Sequence, residues 1–420
     1  MNTASSATDS GIKATPAVTP PTPAAALPMA GTTILELGAT AAGQFAGRLL
    51  ASLGARVIKI EPIGGEAERR GPDMVRDRHG RQRSLAFEYL NAGKQSIAVD
   101  LDDGFLAEFI LKFSAPDAVI LSTPRLAARV PQAFEGVLAK VGPYGEAHNH
   151  GDPPTTPLTR YQAGGDGSLI PPGPEPTLRP TFPGTLVGDC FAGAGAAVSI
   201  LGTLYMKKTD ARLKSEPQPA IDFSQQAHLL MIQKLFLGRV WGEKMELTRA
   251  NNRYAFGGAV KCKDGFVSML VLEEHQWKGL CTAMGREAWL ADPRFATGTT
   301  RWENQAVIQA GLEEWCGTRS VVDVLAATRA LSVPIGHIAT LPEVLQKEYL
   351  RERGYLQETD SDLGRIVTLG LPFGRDPMWQ GAHAVLAPGA GEHTAAILRG
   401  LGRSDADIEL LERLGVVQCM

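Results

Sequence analysis

Ordered alternation of apolar and polar positions begins at Thr32, and the elements it predicts come in strand–helix–strand succession. Thr32–Leu37 reads as a strand closed by Gly38, Gln44–Leu53 as a helix stopped at Gly54, and Ala55–Glu61 as a second strand stopped by Pro62. A βαβ unit of about 30 residues implies a parallel sheet. Further strands are expected at Ser96–Leu101 and Ala118–Leu121, with a helix at Asp103–Phe113 between them. Residues 142–185 are rich in Gly and Pro with little periodicity, the mark of a functional loop or lid or else of a linker. An uncharged small-residue helix follows from Ala192 to Tyr205, and Ala220–Gly238 reads as another helix. Gly257–Val267 reads as two strands about an Asp-Gly turn. Residues 275–330 read as mostly helical over a core of Trp277, Leu280, Met284, Trp315 and Val324, and the chain closes on a helix at Asp405–Leu414.

These elements predict an α/β fold: a Rossmann-like, parallel-sheet large domain over residues 30–225, a smaller α+β domain over 226–340, and a return to the large domain over 341–420. The first 29 residues, mostly Ala, Thr, Pro and Ser with one lysine, read as a disordered tail with no apolar stretch of a secretory signal. Composition changes the picture little. At 44% hydrophobic and 21% charged the balance is globular. A net charge of −3 gives no sign of a nucleic-acid partner. The five cysteines Cys190, Cys262, Cys281, Cys316 and Cys419 form no CxxC pair, so neither a zinc ribbon nor a disulfide framework is expected, and a reducing cytoplasm fits. No apolar run reads as a membrane span.

Candidate chemistry begins with the βαβ turn. Gly38, Gly43 and Gly47 lie between strand and helix, and Glu61 stands 23 positions after Gly38, where an acid could hold a ribose. The spacing is G-x4-G-x3-G rather than G-x-G-x-x-G, so the tight pyrophosphate turn is not encoded. The eight histidines make no metal set; His148 and His150 fall in the Gly/Pro loop. Asp189, in Pro183-Gly184-Thr185-Leu186-Val187-Gly188-Asp189-Cys190, stands at a glycine-flanked turn before the small-residue helix. A carboxylate there is either a helix cap or a nucleophile. Cys190 beside it could be reactive, although a small buried hydrophobe is the commoner fate of such a residue.

Several segments in register carry a resemblance. They are Ile34-Leu35-Glu36-Leu37 through Leu53-Gly54-Ala55-Arg56-Val57-Ile58-Lys59-Ile60-Glu61-Pro62, Asn91-Ala92-Gly93-Lys94-Gln95-Ser96-Ile97-Ala98-Val99-Asp100-Leu101, Gly188-Asp189 with Gly193, Cys262–Val267, Asp292-Pro293-Arg294-Phe295, Ser332-Val333-Pro334 and Gly391-Glu392-His393-Thr394. In this order the chain resembles the family III CoA-transferases, the formyl-CoA transferase and carnitine-CoA transferase-like group. The resemblance implies an acyl-CoA:carboxylate CoA-transferase with coenzyme A as co-substrate and no metal. The residue at Asp189 would attack the donor thioester, pass through a mixed anhydride and carry coenzyme A as an aspartyl thioester. It further implies cofactor contacts at Thr40, Val99, Asp100, Leu101 and Arg129, with Lys94 as a phosphate partner or as the residue that fixes the loop around Asn91. A mobile glycine loop at Gly257-Gly258 and an interlocked homodimer are implied as well.

The chain departs from the family pattern in places. Ile120–Arg125 replaces a cofactor-binding "VEN-x-x-PG" segment. Ala41 stands where formyl-CoA transferases carry glutamine, which favours a bulkier acyl group. Two alternatives stay open: an α-methylacyl-CoA racemase-type isomerase, which needs a histidine that the nearest segment, Thr156–Tyr161, lacks, and a catalytically inactive acyl-CoA-binding subunit.

Overall fold

Strand and helix alternate from the start because the strands are nearly continuous apolar runs while the segments between them carry caps and helical spacing. A computed structural model describes residues 27–38, 40–71, 73–115, 117–146, 155–165, 167, 179–184, 186–210, 219–232, 242, 256–370, 372 and 386–420. Most of the N-terminal tail, His148 and His150, residues 147–154, 166, 168–178 and 185 of the 142–185 loop, and the far end of the helix expected to reach Gly238 lie outside the described residues. The chain divides into two compact units: residues 1–141, 193–222 and 353–420 form the first, and 142–192 and 223–352 the second. The 142–192 segment, which carries Asp189, thus belongs with the second unit rather than with the sheet domain to which the sequence assigned it.

The first unit is the sheet. Strand β1 (Thr33–Leu37) leads through α1 (Ala41–Ser52) to β2 (Arg56–Pro62). A short hairpin of β3 (Met74–Arg76) and β4 (Gln82–Ser84) and helix α2 (Leu85–Asn91) precede β5 (Gln95–Val99). Then come α3 (Phe105–Lys112), β6 (Val119–Ser122), α4 (Pro124–Ala127), β7 (Val137–Gly142) and, after the second unit's first segment, β8 (Ala220–Ser224). The β7 strand and the hairpin of β12 (Leu356–Ser361) with β13 (Gly364–Leu369) were not anticipated. Nor was β8, which occupies the start of the stretch expected to be helical. The sheet order is β14-β5-β2-β1-β6-β7-β8, with the C-terminal strand β14 (Val417–Gln418) added antiparallel at the edge. Strands β5, β2, β1, β6 and β7 run parallel, in register such as Leu35↔Ile58 and Leu35↔Ile120.

This is the doubly wound order, in which the chain starts at the centre and works outward in both directions. The reversal falls between β1 and β6. The turns after those strands therefore diverge and leave a crevice at their carboxyl ends, the general position for a nucleotide in such sheets. Both faces of the sheet are covered. Leu35, Leu37, Ile58, Ile60, Ile97 and Val99 pack with Phe109 and Ile110 of α3 and with Ile397, Leu398 and Ile408 from the chain's last helices. Two-sided burial is why apolar residues predominate on these strands and why even their alternate positions are buried.

One stretch of that sheet is not apolar. Glu36, Lys59, Glu61 and Ser96 are wholly buried on β1, β2 and β5. Lys59 Nζ lies 2.8 Å from Glu36 Oε1 and 2.7 Å from Glu66 Oε2. Glu61 receives Arg69 Nε at 2.6 Å and the Ser96 hydroxyl at 2.6 Å. Burial alone would raise the Glu36 carboxyl, but Lys59 and Lys94 together hold it below its ordinary value. Glu66 fares differently: burial pushes it up to about 7, Lys59 offsets only part of this, and its Oε1 accepts no hydrogen bond among the described residues.

The sign of the resulting pH dependence follows. A carboxyl at about 7 when folded and 4.5 ordinarily keeps a proton that the unfolded chain gives up. Its stabilising contribution is full below pH 4.5 and is lost as pH rises towards 7, amounting to about 3 kcal/mol across that window. Glu66→Gln should remove this slope. Thermal melts of both proteins between pH 4.5 and 7 check it, and parallel curves would refute it.

The second unit's core gathers the residues expected of it. Strands β9 (Gly258–Lys261), β10 (Phe266–Met269) and β11 (Ile335–His337) form an antiparallel sheet. Trp277, Leu280, Met284, Phe295, Leu312, Trp315 and Val324 are buried against it with Val260 and Val267.

Candidate active site

Asp189 lies in α6 (Val187–Thr209), within its first turn. The helix begins five residues before the expected Ala192, so Asp189 is inside the helix rather than in the turn preceding it. An acid in the first turn is favoured by the free N–H groups and dipole at that end. At 23 residues and low charge, α6 is also long and apolar enough by composition to cross a bilayer, a feature that the expectation of no spanning run missed. Ala196, Ala197, Ile200 and Leu204 on it are buried in the first unit, and Lys207 and Lys208 close its last turn. Small residues explain how it packs: a Cβ on Gly193 would lie 2.4 Å from the Ala42 carbonyl oxygen. A Cβ on Gly188 would sit 3.0 Å from the Tyr161 ring.

The Asp189 carboxylate is only 1% exposed, so it needs partners within the protein. Two are present, and both address the same oxygen. Arg160 Nε donates to Oδ1 at 2.8 Å and Gln225 Nε2 donates to Oδ1 at 3.1 Å. Arg160 comes from α5 (Pro157–Ala163), whose start is fixed by a Thr156–Thr159 capping box with Pro157 in the first turn. Its Nη1 is anchored on Thr155 Oγ1 at 3.2 Å and on the Thr155 carbonyl at 3.3 Å. Gln225 opens α7 (Gln225–Ile232), and its Oε1 is buried with no hydrogen-bond partner among the described residues.

Beside them His228, one turn along α7, packs its ring against Phe191 at 4.8 Å and Phe223 at 5.3 Å. Burial there lowers the imidazole below its ordinary value. The result is a buried carboxylate with one oxygen held by a cation and an amide, and with Oδ2 accepting no hydrogen bond among the described residues. An arrangement of this kind can present Oδ2 as a nucleophile while the charge is balanced from the other side.

Sequence reasoning missed Arg160, Gln225 and His228 as members of this group. Arg160 was visible only as a cation in the aperiodic 142–185 stretch, where no helix was expected. Gln225 meets Asp189 across 36 residues of chain, and nothing in local spacing signals it.

The expected cofactor residues lie in the first unit. Thr40 caps α1, its hydroxyl accepting from Gly43 N at 3.3 Å. Thr40 follows β1 at the crevice where the sheet order reverses, near Gly38, whose φ of +57° favours glycine and whose added Cβ would require the Leu126 side chain to move. Val99, Asp100, Leu101 and Arg129 are brought together at the end of β5: Arg129 Nη1 donates to the Leu101 carbonyl at 2.6 Å, and its Nη2 pairs with Asp102.

Lys94 is placed otherwise. It is buried, and its Nζ donates to Glu36 Oε2 at 2.6 Å, to the Gln44 carbonyl at 2.8 Å and to Asn91 Oδ1 at 2.8 Å. With its three N–H groups spent, it fixes the loop around Asn91 and has none left for a phosphate in this arrangement. Gly257 and Gly258 both take positive φ, +93° and +65°, at the start of β9. Gly257 N–H donates to Gln309 Oε1 at 3.0 Å, and no hydrogen bond among the described residues joins either glycine to Asp189. No group of three or more His, Cys, Asp or Glu among the described residues could hold a metal.

The family model described as CoA-transferase family III matches residues 29–113 and 111–394. A succinate–glutarate CoA-transferase of Agrobacterium fabrum is 24% identical, covering 92% of this chain and 97% of its own. A formyl-CoA:oxalate CoA-transferase of Streptomyces avermitilis is 27% identical, covering 92% and 98%. Among solved structures, a CAIB/BAIF family protein from Brucella suis superposes with a TM-score of 0.71 at 23% identity, covering 89% of this chain and 99% of that one.

Proposed function

This chain belongs to CoA-transferase family III, enzymes that pass coenzyme A between carboxylic acids, and we propose that Asp189 is the side chain on which the passage takes place. One observation carries the reading: a carboxylate shielded from water, with both of the hydrogen bonds it receives among the described residues on Oδ1. Oδ2 attacks the thioester carbonyl of the donor. The carbon–sulfur bond breaks, and coenzyme A leaves as thiolate with the negative charge. The thiolate then attacks the aspartyl carbonyl of the mixed anhydride, which releases the donor acid as carboxylate and leaves an aspartyl thioester. The acceptor carboxylate attacks that thioester, and the thiolate returns to the acceptor's own carbonyl, restoring Asp189.

Each exchange converts one activated acyl group into another, so little free energy is lost at any step. The danger is hydrolysis, and exclusion of water from the carboxylate is the countermeasure. Coenzyme A is held by the sheet unit: Thr40 at the N-terminus of α1, where free N–H groups suit a phosphate, and the Val99–Leu101 segment with Arg129. The alanine at position 41 favours an acid larger than formate or oxalate. Gly257 and Gly258 serve as the mobile element over the reacting atoms.

The test is to trap the carrier. Incubation with an acyl-CoA donor followed by rapid digestion should yield an Asp189 peptide heavier by coenzyme A, and hydroxylamine should convert the same residue to a hydroxamate. An unmodified peptide alongside deuterium uptake at the acyl α-carbon would overturn the reading in favour of an isomerase.

A further inference from the structure

Resting on that role for Asp189, we propose that Arg160 is the binding group for the acceptor carboxylate, and that it is released for this task when Asp189 is acylated. In the free protein the guanidinium is engaged through Nε and Nη1. Nε is on Asp189 Oδ1 at 2.8 Å and Nη1 on Thr155, while Nη2 meets no acceptor among the described residues. Arg160 is only 9% exposed, so its charge is balanced almost entirely by Asp189.

Acylation removes that balance. When Oδ2 attacks the donor thioester, the carboxylate charge departs with the coenzyme A thiolate. After the thiolate has returned to the aspartyl carbonyl, both the anhydride and the donor acid are gone, and the resulting thioester is neutral. A buried guanidinium without a counter-ion is strongly disfavoured. The remedy at hand is the other substrate, whose carboxylate matches the planar fork of an arginine and can take Nη2 together with Nε. Such an anion is also the nucleophile the next step requires, held beside the carbon it must attack.

In the free protein the same acid would meet an arginine already neutralised and an aspartate that repels it. Acceptor binding is thereby tied to the state of the carrier. Acids bind poorly to the empty protein and well to the loaded one, and this order of events keeps the two half-reactions apart. The buried Gln225 Nε2 remains on Oδ1 in either state and maintains the position of the aspartyl group.

Asp189→Asn supplies a neutral, isosteric stand-in for the acylated carrier. Binding is measured by isothermal titration calorimetry with saturating coenzyme A present, using acetate, succinate and benzoate, with acetamide, succinamide and benzamide as uncharged controls. The expected result is that at least one acid binds Asp189→Asn about tenfold more tightly than the unaltered chain, while the amides do not distinguish the two. The gain should vanish in Asp189→Asn/Arg160→Gln. That double variant lacks both charges and so leaves no stranded buried ion, unlike Arg160→Gln alone, which strands Asp189, or Asp189→Asn, whose unpaired Arg160 is the state the experiment probes. Circular dichroism checks that Asp189→Asn is folded.

Equal affinity of the acids for the unaltered chain and Asp189→Asn would overturn the proposal, as would a gain that survives in the double variant. The outcome is separable from that of the carrier assignment. An Asp189 adduct with no gain in Asp189→Asn sinks only the role of Arg160, whereas absence of the adduct sinks both.

Discussion

Asp189→Ala abolishes CoA transfer, lowering kcat/KM by about ten-thousandfold or more in an assay that follows exchange of coenzyme A between acids by mass spectrometry. The size follows from the chemistry. A covalent carrier divides the transfer into steps that no neighbouring group takes over, and removal of such a nucleophile characteristically costs four to six powers of ten, roughly 5–8 kcal/mol of transition-state stabilisation. Binding of coenzyme A should change far less, because the expected nucleotide contacts at Thr40, Val99–Leu101 and Arg129 belong to other elements. Asp189→Asn, which keeps the shape and the hydrogen bonds of the side chain, should be as inactive as Asp189→Ala, since an amide does not open a thioester in this way. Retention of exchange by either variant would refute the covalent role.

The second large effect is on stability. Glu36→Gln should lower the unfolding free energy by about 3–5 kcal/mol, because the wholly buried Glu36 is the shared counter-ion of Lys59 and Lys94, at 2.8 and 2.6 Å. Removing the Glu36 charge leaves Lys94 without a paired carboxylate among the described residues and Lys59 with Glu66 alone, and that penalty exceeds what the pairing itself contributes. The melting temperature should fall by about 10 °C for a unit of this size. Glu36→Leu/Lys94→Met, which removes a charge of each sign, should lose less than the sum of its single changes, since the two residues share one network. A Glu36→Gln protein that melts within about 1 °C of the unaltered chain would show the network to be slack.

Much of the fold was legible because the sheet's strands are mostly apolar and its helices announce their ends. Thr33–Leu37, Arg56–Pro62, Gln95–Val99 and Val119–Ser122 fall within a residue or two of where hydrophobic runs and Gly or Pro stops placed them. The core of the second unit was likewise readable from Trp277, Leu280, Trp315 and Val324 at helical spacing. The misses share a cause. Strand β8 was read as helix because Ala220–Ser224 has no strong pattern of its own and owes its conformation to its place beside β7. Strand β14 is two residues long and exists through pairing with Val99 and Ala98. Lys94 could be read from its loop position either as a phosphate partner or as the residue fixing the loop around Asn91, and its partners Glu36 and Gln44, 58 and 50 residues away, are not signalled by local spacing.

By itself, the sequence determined the order of elements, the doubly wound character of the sheet unit and the identity of the one aspartate on which the chemistry is proposed to turn. These are local properties: periodicity, caps and a short motif with a restricted backbone. Only the tertiary structure decided what that aspartate meets. Hydrogen bonds from Arg160 and Gln225 to a single oxygen depend on three helices converging from positions 29 and 36 residues apart. Such convergence is set by packing and burial, which weigh all parts of the chain at once and leave no trace in the spacing of neighbours.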